Sequence, residues 1–412
     1  MPEFLRLQTP SEALSRLLEA LPAEARLGSE DLPTAEALGR ILAVDIRAPH
    51  ALPPFPRSSV DGYAVRAADT FGASASLPAY LSVAGEVLMG TLTTLSLDRG
   101  QAALVHTGGM IPAGADAVVM VEDTQVARPD EIEVLKPAAP GQNVLQLGED
   151  VQPGEIVLQR GARLRAQELG GLMALGFTRV EVVRRPRVAI LSTGDEVVAP
   201  EADPLPGQVR DVNTTTLSAL VELGGGEPVF YGILPDRREA LEAAARRAHA
   251  ECDVVLITAG SSVSTRDITS EIIATLGAPG VLAHGVALRP GKPTILAVCS
   301  GKPVIGLPGN PVSALVVAGL FVTPLLRRLL GVQAPRLIPR VTARLVTNIP
   351  SESGREDYVP VRVTGTEGDY TAEPVFGKSN LIFTLVRADG LVRVPAEANG
   401  LPAGIIVEVL LF

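Results

Sequence analysis

The chain has few aromatic residues and little positive charge, and these shortages argue against nucleic acid as a partner. Its 412 residues contain no Trp, and aromatic residues make up only 3% of the total. Single-stranded nucleic acids are bound on stacked aromatic side chains, which this composition does not supply. The net charge is −10, and no run of Lys and Arg is long enough to bind a phosphate backbone.

Cysteine and histidine are also scarce, which argues against disulfides and structural zinc. The two cysteines, Cys252 and Cys299, form no CxxC pair, and the four histidines are scattered without an HExxH motif. No basic-then-apolar leader opens the sequence, so we expect a reduced, cytoplasmic protein. The uncharged stretch from Val312 to Leu326 is short for a bilayer, and we interpret it as a buried core helix.

What the sequence has is enough apolar material for several cores. Hydrophobic residues make up 46% and charged residues 20%, as in soluble globular proteins, and the length predicts roughly three domains. Residues 1–45 are predicted to be helical, and residues 145–180 to carry a short β segment followed by a helix. Residues 46–144 carry short β-branched runs between Pro and Gly turns, which predict an inserted β domain. Residues 181–332 alternate strand and helix, and residues 333–412 return to short strands.

Hydrophobic periodicity predicts the individual elements. In the N-terminal region it predicts one helix from Pro10 and a second over Thr34–Val44. The strand-like runs of the α/β part are Val188–Leu191, Val229–Leu234, Val254–Thr258, Thr294–Val298 and Val304–Leu307. Its helix-like runs are Thr214–Leu223, Arg237–Ala250, Ile268–Leu276 and Val312–Leu330. This order predicts a doubly wound parallel sheet with helices on both faces and a site at the carboxyl ends of its strands.

The first candidate site follows directly after such a strand. Thr193 and Gly194 form a sharp turn, and the carboxylates Asp195 and Glu196 come next. Mg²⁺ binds one or two carboxylates together with substrate phosphates, so this loop is a candidate metal and substrate site. The alternative is a loop whose acids are simply solvated.

The second candidate is a loop of small and hydroxyl-bearing residues between a strand and a helix. Gly260, Ser261, Ser262 and Ser264 let backbone N–H groups approach a bound anion, and the helix N-terminus adds partial positive charge. Asp267 then holds a metal beside the phosphate or, alternatively, caps the helix. The loop is not a Walker A motif, because no GK[ST] ends it.

Two further loops offer cations and a helix N-terminus. Arg289 and Lys292 stand in a rigid Pro-Gly-Pro frame, in a chain with only four lysines, which predicts a preorganised oxyanion clamp or a basic turn capping a strand. Pro308, Asn310 and Pro311 form a turn, and Pro311 takes the first position of a helix. Two helix N-termini on one rim would form an anion pocket.

Several polar residues outside the α/β part are weaker candidates. Asp61 and Asp150 lie in predicted turns, and Thr107 precedes two glycines. Taken singly, each is better explained by a turn than by a site. In the C-terminal part, Arg355 and Ser379 offer further donors to an anion.

Together these segments resemble one family, the molybdopterin molybdenumtransferases of the MoeA type, which are related to the C-terminal part of gephyrin. The match runs nearly end to end, and six blocks occur in the family's order. They are Ser59-Val60-Asp61-Gly62-Tyr63-Ala64-Val65-Arg66, Gly148-Glu149-Asp150, Ser192-Thr193-Gly194-Asp195-Glu196, Asp211-Val212-Asn213, Arg289-Pro290-Gly291-Lys292-Pro293 and Gly306-Leu307-Pro308-Gly309-Asn310-Pro311-Val312-Ser313.

The resemblance implies a fold and a reaction. The fold is a multidomain one: an elongated N-terminal region with helices formed by residues 1–45 and 145–180, a β insertion, a central doubly wound molybdopterin-binding α/β domain and a C-terminal β-barrel-like domain. The reaction is a Mg²⁺-dependent insertion of molybdate into adenylylated molybdopterin, with release of AMP. The resemblance also implies a cytoplasmic homodimer with a cleft shared between subunits, and a transient contact with the molybdopterin adenylyltransferase.

The resemblance also assigns roles to residues. Three acids would surround the pyrophosphate and Mg²⁺, namely Glu196, Asp236 and Asp267, since metal ions offset charge on phosphoryl oxygens. Four donors would hold molybdate, namely Arg289, Lys292, Arg355 and Ser379. Three residues would reach the cleft from the neighbouring subunit, namely Asp61, Thr107 and Asp150.

The sequence departs from the family pattern at four places. The phosphate loop has Thr265 where Gly is usual, and Arg289 replaces the first Lys of a Lys-Pro-Gly-Lys motif, which keeps the charge but changes its geometry. A cation is missing from residues 144–147, and Pro360 stands where Arg is frequent. These losses leave a non-catalytic molybdopterin-binding scaffold or carrier as the alternative function, although the retained acids favour an enzyme. Adenylylation of molybdopterin is a third interpretation, disfavoured because both flanking β modules are present.

Overall fold

The computed structural model describes residues 7–22, 27–259, 263–333 and 339–412. The chain divides into two compact units. The first unit comprises Met1–Ala43, Gly161–Arg165 and Val180–Phe412, and the second comprises Val44–Arg160 and Ala166–Arg179.

Seven α-helices occur in the described part of the chain. They are α1 (Pro10–Glu19), α2 (Ala166–Ala174), α3 (Asn213–Leu223), α4 (Arg238–Glu251), α5 (Val263–Thr275), α6 (Pro311–Leu329) and α7 (Phe383–Val386). Short 3₁₀ turns are present at Thr34–Glu36, Ala67–Thr70 and Val121–Asp123.

The strands are short and numerous, as expected for a chain rich in Gly and Pro. Those before residue 160 are β1 (Ser29–Pro33), β2 (Ile46–Arg47), β3 (Arg57–Ser58), β4 (Gly62–Val65), β5 (Ala79–Glu86), β6 (Gln101–Val105), β7 (Ala117–Met120), β8 (Thr124–Arg128), β9 (Glu131–Val134), β10 (Val144–Leu145) and β11 (Ile156–Leu158). The next group is β12 (Arg179–Val183), β13 (Arg187–Thr193), β14 (Val197–Val198), β15 (Val209–Arg210), β16 (Glu227–Leu234), β17 (Val254–Ala259), β18 (Pro279–His284), β19 (Leu288–Arg289), β20 (Ile295–Cys299) and β21 (Lys302–Pro308). The last group is β22 (Arg340–Leu345), β23 (Ile349–Pro350), β24 (Glu356–Thr366), β25 (Asp369–Pro374), β26 (Gly390–Val394), β27 (Gly400–Leu401) and β28 (Ile406–Leu411).

The predicted second helix over Thr34–Val44 is wrong. Only one 3₁₀ turn forms, and Gly39 then adopts φ +76°, a left-handed conformation that ends helical structure. Beyond it the backbone is extended: Leu42 N donates to the Ala162 carbonyl at 3.0 Å. The apolar residues that suggested a helical face belong to this extended segment instead.

The central sheet is mixed rather than wholly parallel. Its strand order is β16-β13-β17-β21-β20-β18, and the first four strands are parallel. Strand β20 runs antiparallel to both of its neighbours, β21 and β18, a feature that was not predicted from the sequence. A two-residue turn at Ser300 and Gly301, both with positive φ, joins β20 to β21 and is too short for a crossover between parallel strands.

Helices cover both faces of this sheet, as predicted. Helices α1, α3 and α6 pack on one face, and α4 and α5 pack on the other. Helix α6 is long and apolar enough to cross a membrane. Phe321, Leu325 and Leu326 of α6 are nevertheless fully buried in the core, which confirms the interpretation of this segment as a core helix.

The C-terminal part is a closed five-stranded barrel, which confirms the β-barrel-like domain. Its strands follow the order β24-β25-β22-β28-β26, and pairing of β24 with β26 closes it. Strand β19 extends the sheet by pairing in parallel with β24, so that Arg289 lies opposite Asp357. This pairing ties the barrel to the loops of the α/β domain.

The second unit contains the predicted β insertion. Six strands form one sheet in the order β7-β4-β6-β5-β9-β8. Its two faces bury separate small clusters, one around Leu81 and Ile132 and the other around Val105 and Val118. Strand β10 pairs with β3, and β11 pairs with β2.

Candidate active site

A large cavity lies within the first unit, where loops of the α/β domain face barrel strand β24. Its volume is about 790 Å³, within the range of roughly 300–1,000 Å³ that is typical of small-molecule sites. Six of the candidate residues selected from the sequence line it: Arg289, Lys292, Pro308, Asn310, Arg355 and Ser379.

The loop that carries Arg289 and Lys292 has a conformation that requires glycine at position 291. Gly291 has φ +121°, and a Cβ there would lie 2.3 Å from Val317 Cγ2, so only glycine fits. The Thr294 hydroxyl donates to the Gly291 carbonyl at 2.6 Å and fixes the other side of the turn. The two cationic side chains are exposed, while their backbone is packed against α6.

The second loop brings Asn310 and Ser379 together. Asn310 Nδ2 donates to Ser379 Oγ at 2.9 Å, and the Val312 amide of helix α6 donates to the Ser379 carbonyl at 3.0 Å. Asn213 Nδ2 donates to the Gly309 carbonyl at 2.7 Å. One amide at the N-terminus of α6 is therefore engaged in holding the Ser379 segment, whereas the sequence analysis expected this helix end to face an anion.

The sequence analysis missed one central residue, Asp357. Its side chain is 4% exposed, and Oδ1 accepts a hydrogen bond from Arg355 Nε at 3.0 Å. Oδ2 lies 3.7 Å from Arg289 Nη1. The only signal in the sequence was its position two residues after Arg355, a spacing that places two side chains on the same side of an extended chain.

The described lining of the cavity is strongly cationic. It carries four basic side chains, Arg289, Lys292, Arg355 and Lys378, against the single carboxylate of Asp357, which leaves a formal charge of +3. Pro360, which replaces a frequent arginine of the resembled family, also lines this cavity. Guanidinium and ammonium groups bind tetrahedral oxyanions and phosphates.

A separate cluster of acids lies at the carboxyl end of β13. Asp195 Oδ1 accepts a hydrogen bond from the Asp236 amide at 3.1 Å, which brings together two distant loops. Gly194 has φ +144°, and a Cβ on it would lie 2.8 Å from Glu196 Oε2. Because Gly194 leaves this space open, Glu196 folds back beside the turn.

Asp236 carries the strongest electrostatic signal in this cluster. Burial raises the pKa of its carboxyl, and the charges of Asp195 and Glu196 raise this pKa further. Asp236 Oδ1 is buried without a hydrogen-bond partner in the described structure. Within that part of the chain, no group of three His, Cys, Asp or Glu side chains is arranged closely enough to hold a metal by itself.

The remaining candidates of the α/β domain have mixed outcomes. Thr193 is buried, and its hydroxyl donates to the Thr258 carbonyl at 3.0 Å, so it joins β13 to β17. Pro311 occupies the first position of α6, as the sequence predicts. Three loop residues lie outside the described residues: Gly260, Ser261 and Ser262. The side chains of Ser264 and Asp267 are likewise outside the description.

In the second unit, two predicted residues contact one another. Asp61 Oδ1 accepts hydrogen bonds from the Thr107 amide at 2.7 Å and from the Thr107 hydroxyl at 3.1 Å. These bonds, amide first, lower the pKa of Asp61, and the charge of His106 lowers it further. Asp150 has an exposed side chain, and its amide donates to the Leu52 carbonyl at 2.9 Å.

Comparison with protein families accounts for most of the chain in three consecutive matches. Residues 8–176 match the MoeA N-terminal region (domain I and II). Residues 189–328 match a domain described as a probable molybdopterin binding domain. Residues 342–412 match the MoeA C-terminal region (domain IV).

Individual proteins are similar over nearly the whole length. A Bacillus subtilis protein named molybdopterin molybdenumtransferase is 35% identical, covering 91% of this chain and 88% of its own. A Staphylococcus epidermidis protein of the same name is 31% identical, covering 98% and 96%. The solved structure of a molybdopterin biosynthesis MoeA protein from Pyrococcus horikoshii superimposes with a TM-score of 0.85 at 34% identity, covering 99% of this chain and 100% of that one.

Proposed function

The chain belongs to the MoeA family and is a transferase of molybdenum cofactor biosynthesis; from this premise we propose that it inserts molybdate into adenylylated molybdopterin and releases AMP. In this reaction two Mo–S bonds form to the dithiolene, and the two thiol protons leave with one molybdate oxygen as water. A second water cleaves the pyrophosphate, which frees AMP. Molybdenum keeps its oxidation state throughout.

The observation that supports this proposal is the cationic cavity. Molybdate is a tetrahedral dianion, and the nucleotide substrate carries a pyrophosphate, so both substrates need positive charge. The cavity supplies four basic side chains, and its volume of about 790 Å³ exceeds what a single oxyanion fills. Arg289, Lys292 and Arg355 bind the molybdate oxygens, and Ser379, oriented by Asn310, adds a neutral donor.

The acid cluster fits a magnesium ion. Asp236 has a buried carboxylate oxygen without a partner among the described residues, and the neighbouring charges of Asp195 and Glu196 disfavour its ionised form. A divalent cation would relieve both features, since Mg²⁺ takes carboxylate oxygens together with substrate phosphates. We infer that Glu196 and Asp236 hold Mg²⁺, with Asp267 as a third ligand. When bound, the ion neutralises charge on the pyrophosphate oxygens.

Other residues of the site position the substrates. The rigid turn at Gly291 keeps Arg289 and Lys292 in place before molybdate arrives, which lowers the entropic cost of binding. The loop that contains Gly260, Ser261, Ser262 and Ser264 binds the phosphates with its amides. Arg355, which directly precedes barrel strand β24, adds a second guanidinium group to the lining of the cavity.

We infer further that the active form is a cytoplasmic homodimer. A second copy then contributes Asp61, Thr107 and Asp150 to the site. Asp61 suits such a role because it accepts two hydrogen bonds from Thr107, which fix the orientation of its carboxylate and lower its pKa. A transient contact with the molybdopterin adenylyltransferase would deliver the adenylylated substrate.

The proposal is tested by AMP release from adenylylated molybdopterin in the presence of molybdate and Mg²⁺. The full-length protein is expected to release AMP only when molybdate is present. Lys292→Ala is expected to slow release at least tenfold, because it removes a charge-assisted contact to the oxyanion. Arg246→Ala, which removes a surface pair with Glu242 and a hydrogen bond of 3.4 Å to the Thr275 hydroxyl, serves as the control and is expected to keep wild-type activity.

Two outcomes would refute the enzymatic assignment. If the folded wild-type protein binds molybdopterin but releases no AMP above the blank, the protein is a scaffold or carrier. If Lys292→Ala releases AMP at the wild-type rate, the cationic cavity is not the site of molybdate insertion.

A further inference from the structure

The cavity that would bind anionic substrates contains an acid. Asp357 supplies the single carboxylate among the described lining residues, and its side chain is only 4% exposed. A carboxylate here lowers the positive charge of the cavity and repels an oxyanion. Burying it is also unfavourable unless it is well paired. Its presence therefore requires a structural benefit that exceeds both costs.

The contacts of Asp357 are with the two arginines of the cavity. Oδ1 accepts a hydrogen bond from Arg355 Nε at 3.0 Å, and Oδ2 lies 3.7 Å from Arg289 Nη1. Each carboxylate oxygen thus faces a different guanidinium group. The two arginines come from different domains, Arg289 from a loop of the α/β domain and Arg355 from the start of the barrel.

The backbone fixes this arrangement. Strands β19 and β24 pair in parallel with Arg289 opposite Asp357, and the Glu356 amide donates to the Ala287 carbonyl at 2.9 Å. Asp357 is therefore held on a rigid strand, whereas arginine side chains lose much rotamer freedom when they are ordered. A fixed carboxylate between two flexible cations orders both of them before a ligand arrives.

We propose that Asp357 is a positioning residue, which orients Arg289 and Arg355 so that their remaining N–H groups point at the bound oxyanion. This inference rests on the proposed function, because it takes the anion to be molybdate. Asp357 also affects anion binding in two ways that have opposite signs, through its charge and through the orientation of the arginines. Removing the charge of Asp357 strengthens anion binding if electrostatics alone matters, and weakens it if orientation matters.

The experiment measures the dissociation constant of molybdate by calorimetry on the full-length protein. We expect Asp357→Asn to weaken binding at least tenfold, because freed guanidinium groups no longer present a matched fork to the oxyanion. The control is Glu352→Gln, which removes a carboxylate that contacts the same Arg355 at 3.0 Å but is 76% exposed. We expect the control to bind within about twofold of wild type. Thermal unfolding of each variant verifies that it is folded.

A second variant keeps the test decisive if Asp357→Asn fails to fold. Arg355→Lys keeps the charge but loses the planar fork that can face Asp357 and an anion together. We expect it to weaken molybdate binding to a similar extent, and Asp357→Glu to recover part of the affinity lost in Asp357→Asn.

The failures of the two proposals are distinguishable. Molybdate binding by Asp357→Asn or by Arg355→Lys that is as tight as in wild type overturns the positioning role and leaves the proposed function standing. Failure of the wild type to bind molybdate, or unchanged binding by Lys292→Ala, refutes the proposed function and this inference with it.

Discussion

The carboxylate of Asp236 gives a prediction in which stability and activity change in opposite directions. Its buried oxygen has no partner in the described structure, and its ionised form faces the charges of Asp195 and Glu196. We expect Asp236→Asn to remove this repulsion and to let the new amide donate to a neighbouring carboxylate. The same change should abolish AMP release, since it removes an inferred ligand of Mg²⁺.

The magnitude follows from the burial of the side chain. A buried polar group without a partner costs about 1–3 kcal/mol, and more when it is charged. Asp236 is only half-buried, so solvent screening favours the low end, and we expect a gain of about 1 kcal/mol. For a cooperative unit of 150–250 residues, this gain corresponds to a rise in Tm of about 2–4 °C.

The pH dependence provides the sign test. Because the pKa of Asp236 is raised in the folded state, the wild type loses stability as pH rises through that pKa. Asparagine carries no charge, so the gain should be full at neutral pH and should vanish at acid pH, where the wild-type carboxyl is protonated. Scanning calorimetry at several pH values measures this difference, with the exposed Glu201→Gln as control. A loss of stability at neutral pH, or a gain independent of pH, would refute the reasoning.

Three further predictions follow from the packing and the proposed site. Mg²⁺ at a hundred times its dissociation constant should stabilise the wild type by about 2.7 kcal/mol, and Asp236→Asn much less, in calorimetry at constant ionic strength; equal stabilisation would contradict the metal assignment. Phe321→Ala should lower the free energy of unfolding in urea by about 3–5 kcal/mol, because Phe321 is fully buried; a loss below 1 kcal/mol would contradict its place in the core. Gly291→Ala should weaken molybdate binding in calorimetry, because its Cβ would meet Val317 Cγ2 at 2.3 Å. Gly207→Ala, which also has a positive φ but open space around it, should leave molybdate binding unchanged.

The parts of the fold that the sequence predicted are those set by local patterns. Buried strands such as Val254–Ala259 are continuous apolar runs, and α6 begins at a proline that follows a Gly-Asn turn. These signals do not depend on distant contacts. The predicted second helix over Thr34–Val44 did not form because one glycine, Gly39, takes a left-handed conformation that composition alone does not reveal.

The parts that the sequence did not predict depend on long-range pairing. The antiparallel direction of β20 follows from the tight turn that joins it to β21, and β19 becomes a strand only by pairing with β24. Asp357 was not predicted for the same reason, because its contact with Arg289 exists only through this pairing. The candidate cations were found from the sequence because Lys is rare and the Pro-Gly-Pro frame is distinctive. Asp357, the acid that contacts Arg289 and Arg355, has no comparable signal in the sequence.

The most direct test of the central claim is a crystal of the full-length protein soaked with molybdate, with data collected at the molybdenum absorption edge. The account predicts an anomalous peak in the cavity, within hydrogen-bond distance of Arg289, Lys292 and Arg355. A peak elsewhere in the chain, with the cavity empty of molybdenum, would contradict it.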